Sequence, residues 1–151
     1  MEFYHFSKKI IKHIKESELT INIKPTINIL WLSCNDDWIK FMKKENINKL
    51  YKYKYLFRID ITKLIILKTF NDIIKFDDKY GYNEKIKNNV ILKFIDWNKV
   101  KKDGYYGIYV KNANIKKARS IFLWYSSFDI CSVAIWDKKA IISFSEPIKI
   151  S

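Results

Sequence analysis

Between residues 51 and 59, every second position is aromatic or aliphatic: Tyr51, Tyr53, Tyr55, Phe57 and Ile59. A period of two places all five on one face of an extended strand, whereas a helix would scatter them around its axis. The chain must therefore build a sheet with an aromatic face to cover. Residues 64–67, an unbroken apolar run, supply a second strand close behind. Further strands are expected at 3–6, at 27–32 after Pro25, at 107–110, at 130–136 and at 140–144, with a shorter alternation at 20–24.

Helical signals lie between these strands. Ser7 can cap a helix over 8–16, with Ile10, Ile11 and Ile14 on one face. Ser33 to Asp37 ends the strand before it and opens a helix to about residue 46, its acids in the first turn and Trp38, Phe41 and Met42 on one side. Thr69 and Asp72 have the spacing of a capping box, and the helix they start stops near Gly81. Residues 82–89 read as a polar surface loop. Asp96 can cap a short helix through 102, Gly104 marks a turn, and a weak helix covers 114–122. Short strands mixed with short helices, without regular crossovers, predict an α+β fold and not a doubly wound parallel sheet.

Composition narrows the rest. A chain of 151 residues, 48% hydrophobic and 17% aromatic, can bury one core, so 1–151 is expected to form a single domain. With Gly 3 and Pro 2 it has no flexible linker and no glycine-rich phosphate loop. The segment after Met1 has no apolar run of the signal-peptide kind, and no stretch approaches the ~20 residues of a membrane span. Cys34 and Cys131 stand apart from each other and from His5 and His13, which gives no metal-binding spacing. In a reducing, intracellular compartment they are expected as two small, partly buried thiols. The formal net charge of +13 invites a nucleic-acid partner. Yet of 29 basic residues only Arg58 and Arg119 are arginine, leaving 27 lysines, and the richness in Ile, Lys, Asn and Tyr is that of AT-rich coding. Arginine is the residue whose planar fork suits phosphate and guanine best.

Three segments look like more than core: Tyr4-His5-Phe6-Ser7, Leu30-Trp31-Leu32-Ser33, and the stretch from Trp124 through Asp129 and Ser132 to Trp136. Taken in order they resemble the skeleton of the ADP-ribosyltransferase-like fold. That family carries a histidine followed two residues later by Ser or Thr, an aromatic on a second strand, and a polar or acidic residue opening a later strand. The resemblance spans almost the whole chain, and the tail is similar to those of small phage and giant-virus proteins.

The resemblance implies a split, mostly antiparallel sheet with several short helices, and NAD as substrate in a cleft between the halves. His5 and Ser7 would hold ribose hydroxyls. Trp31, where the family has Tyr, would lie against the nicotinamide ring, with Ser33 beside it. The catalytic position falls on Asp129, the nearest acid, or on Ser132, which would keep a hydrogen bond and lose the charge. The implied function is a viral or phage-type transferase moving ADP-ribose from NAD to a host protein or nucleic acid, inside the host cell and away from membranes. Beside it stands a non-enzymatic reading: a basic protein binding nucleic acid or a host factor, with His5 a satisfied core histidine and the tryptophans core filler.

Overall fold

In the computed structural model, which describes residues 1–47 and 50–150, the strands come in chain order. They are β1 (Phe3–Ser7), β2 (Ile21–Asn22), β3 (Leu30–Cys34), β4 (Tyr53–Ile59), β5 (Leu64–Leu67) and β6 (Gly81–Lys85). Then follow β7 (Ile91–Asp96), β8 (Gly107–Val110), β9 (Ser132–Ile135), β10 (Ile141–Phe144) and β11 (Ile148–Lys149). The helices are α1 (Asp37–Lys44), α2 (Phe70–Tyr80), α3 (Trp97–Lys102), α4 (Lys116–Ile121) and α5 (Leu123–Ser126).

One curled sheet of eight strands dominates, in the order β10-β4-β1-β3-β9-β8-β5, with β11 also paired to β4. Every pairing in it is antiparallel except β5 with β8, which is parallel because α2, β6, β7 and α3 intervene and carry the chain back. The strands bearing Tyr4, Trp31, Tyr55 and Val133 all belong to this sheet, and α1 packs beside β3. A second sheet, β2-β7-β6, is antiparallel.

Register decides which side chains share a face. Opposite residues in neighbouring strands point the same way, so Phe3, Cys34 and Phe57 lie together, as do Leu32, Val133 and Tyr109. These belong to one buried cluster, closed at its rim by Ile11, Ile14 and Ala140. The other face presents Ile108, Val110 and Ala134 to the helices, where Ile73, Phe76, Trp97, Val100, Trp124 and Tyr125 are fully or almost fully buried. Each such large side chain contributes roughly 1.5–3 kcal/mol through burial. The buried indoles also find acceptors: Trp124 Nε1 donates to Asp77 at 2.9 Å, Trp136 Nε1 to the Tyr105 carbonyl at 2.8 Å, and Trp97 Nε1 to the Asn22 carbonyl at 3.1 Å.

Three local expectations are corrected. Residues 8–16 form no helix. The Ser7 hydroxyl is engaged in its own turn with Lys9, and the Ile11 N–H donates to the Tyr55 hydroxyl at 2.9 Å, so the segment lies as a strap over the sheet instead of winding. The polar stretch 82–89 is no loop: most of it is β6 and the turn into β7. Asn88 (φ 65°) and Asn89 (φ 58°) supply the left-handed conformations that a tight hairpin requires. The weak helix expected over 114–122 forms as α4, and a separate short helix, α5, follows after a break at Phe122 (φ −108°, ψ 106°).

The cysteines are the third correction. Cys34 and Cys131 form a disulfide, with Cα atoms 5.5 Å apart and a sequence separation of 97. The register explains it: Ser33 faces Ser132 across β3 and β9, and the next position out brings Cys34 to Cys131, whose carbonyl also accepts from the Cys34 N–H. Closing a loop of that size stabilises a fold by about 3–5 kcal/mol through the unfolded chain.

Candidate functional site

The sheet does not divide into two separate sheets. Along the path from β10 to β5 the shortest pairing is between β1 and β3, which share two residue pairs, Phe3 with Cys34 and Tyr4 with Ser33. β1 pairs with β4 over five positions, and β3 with β9 over four. Past Tyr4 the two strands stop pairing. A cleft of about 340 Å³ opens at this fork, walled on its far side by residues 127–130 and 132.

His5, Trp31, Ser33, Asp129 and Ser132, from three segments distant in sequence, all border this cleft. Ser7 does not. Its hydroxyl donates to the Lys9 carbonyl and accepts from the Lys9 N–H, so it serves the turn that ends β1.

His5 bridges the fork. Its Nδ1 lies 2.8 Å from the Trp31 carbonyl oxygen. A carbonyl can only accept, so Nδ1 carries the proton and Nε2 is left with a lone pair when the ring is neutral. Burial pushes the imidazole below its ordinary value of 6.5, and the bond to Trp31 offsets only part of that. At neutral pH the cleft therefore holds a neutral acceptor and not an imidazolium.

The two serines are held lightly. The Ser33 hydroxyl, buried beneath the fork, donates to the Tyr4 carbonyl at 3.4 Å, and the Ser132 hydroxyl donates to the Ile130 carbonyl at 3.2 Å. Bonds of that length yield readily to a better-placed acceptor. Asp129 is exposed and, among the described residues, is the single carboxylate on the cleft lining.

Aromatic rings make most of the remaining wall. Trp31 and Phe128 meet at 5.9 Å in a tilted pair, Trp38 stacks on Phe41 at 5.2 Å, and Tyr51 stands edge-on to both Trp38 and Phe6. The far wall is fixed from behind by Arg119, whose guanidinium donates to the carbonyls of Ala113 (3.0 Å), Ser126 (3.2 Å) and Phe128 (2.7 Å). Five N–H donors in a planar fork suit a cluster of main-chain oxygens that a lysine could not reach together.

Phe128, Tyr51, Lys24 and Arg119 were missing from the sequence-based site. The strongest available signal was Arg119, one of two arginines in a chain that otherwise uses lysine. Phe128 was legible only as a neighbour of Asp129. Nothing in the order of residues tied Lys24 or Tyr51 to the site, since both arrive through the path of the chain around the fork.

Compared with known proteins, the chain matches no family model, no curated protein and no solved structure.

Proposed function

We propose that the cleft binds NAD on an ADP-ribosyltransferase-like scaffold, and that the protein transfers ADP-ribose to a macromolecular acceptor of its host. The observation that carries this reading is the convergence of His5, Trp31, Ser33, Asp129 and Ser132 on one cleft at the fork. Neutral His5 offers Nε2 as acceptor to a ribose hydroxyl, which has a proton to give. Trp31 and Phe128 offer an aromatic wall to a planar ring. When the bond between ribose and nicotinamide breaks, its electron pair leaves with nicotinamide, and the positive charge left on the sugar is met by the acceptor's nucleophile. Asp129 would stabilise that charge electrostatically, or Ser132 through a hydrogen bond.

The volume, about 340 Å³, lies at the small end of ligand sites and suits one nucleoside portion with the remainder across the surface. Charge supports a small ligand here as well. Among the described residues, Lys24 is the one lysine that borders the cleft, whereas a groove for a polyanion would be lined with several. The exposed lysines elsewhere favour a second reading for the outer surface: sequence-independent nucleic-acid binding that collapses between low and moderate salt.

Calorimetry with NAD in the presence of chelator tests the primary reading, and quenching of Trp31 and Trp38 fluorescence follows the same event. No heat at millimolar NAD would overturn it, because a Kd weaker than about 1 mM corresponds to only about 4 kcal/mol of binding.

A further inference from the structure

Among the described residues Lys24 is the single cation on the cleft lining, and it sits in an unusual resting place. Its Nζ lies 5.7 Å from the centroid of the Trp31 ring, within cation–π range. Among the described residues no carboxylate lies within ion-pairing distance of it. The backbone beneath it is well anchored. Pro25 is buried, Asn22 pairs with Ile95 in the small sheet, and the Asn22 carbonyl accepts from the buried Trp97 indole. The side chain itself is exposed. A fixed root with a free ammonium is the arrangement of a group that can swing by a few ångströms without disturbing the fold.

Electrostatics gives that swing a direction. With His5 neutral, the described lining carries one positive group, Lys24, and one negative group, Asp129. A dinucleotide brings a diphosphate, which Asp129 repels and Lys24 can neutralise. A planar ring entering against Trp31 also competes with the ammonium for that face, so ring binding and release of Lys24 toward an anion go together. Cation–π attraction at an exposed site is weaker than a charge-assisted hydrogen bond, so the exchange is favourable when a phosphate is within reach.

We infer that Lys24 is a specificity-determining residue of the cleft, leaving the Trp31 ring to bind ligand phosphate and so selecting a phosphate-bearing nucleotide over the phosphate-free nucleoside. The inference rests on the NAD reading of the same cleft and adds to it a residue and a discrimination.

The test is calorimetry of the wild type, Lys24→Met and Lys24→Arg with two probes, NAD and nicotinamide riboside, at low and moderate salt. Lys24→Met is expected to weaken NAD binding about tenfold or more. It should leave the riboside unchanged and flatten the salt dependence, and Lys24→Arg should restore most of the affinity. NAD affinity in Lys24→Met within twofold of wild type would overturn the inference while leaving the NAD reading intact. A parallel loss for the riboside would assign Lys24 to the ring and overturn it too. If the wild type binds no NAD at millimolar concentration, the underlying reading fails and this inference fails with it.

Discussion

The His5 imidazole donates from Nδ1 to the Trp31 carbonyl across 2.8 Å, replacing with a side chain the main-chain ladder that stops one residue earlier. A backbone pair there would have closed the fork. The imidazole instead keeps the strands linked and leaves its second nitrogen for another partner. It thereby couples the geometry of the cleft to the protonation of one ring.

That coupling has a sign. Burial holds the folded pKa of His5 below 6.5, so the unfolded chain takes up the proton first as pH falls. The stability contributed by neutral His5 is complete above about pH 6.5 and is lost as pH falls through the folded value. Urea midpoints measured at pH 7.5 and 5 should therefore drop more for the wild type than for His5→Gln. Ligand affinity should fall over the same range, because the protonated ring no longer accepts at Nε2. Equal pH sensitivity in the two proteins would remove His5 from the explanation.

Asp129→Asn and Ser132→Ala separate binding from chemistry. If Asp129 meets charge developing only in the transition state, its amide should bind NAD within about twofold of wild type yet lose at least about tenfold in NAD turnover. Nicotinamide release, followed by chromatography, reports both variants. Loss confined to Ser132→Ala would assign the chemistry to the serine. Unaltered turnover in both would take both out of the reaction.

Arg119→Ala removes three hydrogen bonds to main-chain carbonyls behind the cleft wall. The expected cost is about 2–3 kcal/mol in urea unfolding, since partly buried oxygens lose a charged donor. Arg119→Lys should recover less than half of it, because an ammonium cannot reproduce the fork. A variant as stable as wild type would show that solvent satisfies those oxygens.

Gly107→Ala tests the central register. A Cβ there would meet the Ala134 carbonyl oxygen at 2.5 Å and Leu64 Cδ2 at 2.8 Å, where β8 lies between β5 and β9. Backbone has to move, and the loss should be about 2–3 kcal/mol or more by thermal or chemical unfolding.

What the sequence made legible follows from the range over which each signal acts. β4 was readable because alternation is written within seven residues, and the Thr69–Asp72 capping box formed as its spacing implied. The strap at 8–16 has helical spacing as well. There the deciding partner was the Tyr55 hydroxyl, 44 residues away from Ile11, which no local pattern reports. The hairpin of β6 and β7 was missed because β6 is polar and exposed throughout, and only the Asn-Asn turn marked it. For the cleft, residue types and their order pointed to His5, Trp31, Ser33, Asp129 and Ser132. Ser7 stands off the cleft lining because its hydroxyl has a nearer partner in Lys9. The disulfide was hidden for the same reason as the strap: proximity of Cys34 and Cys131 is a property of the β3–β9 register and not of either neighbourhood.

The Cys34–Cys131 bond also changes what kind of object the polypeptide is. It turns residues 34–131 into a covalent ring with two tails, and both tails grip the same strand of that ring, since β1 lies along β4 on one side while β10 and β11 pair with it on the other. The exposed turn between β6 and β7, flanked by Lys85 and Lys87, lies within the ring and offers trypsin an accessible place to cut. One nick there would not release a fragment. The two pieces should migrate together on a gel without reductant and part only when thiol is added, so the protein can lose its continuity of chain and remain a single particle.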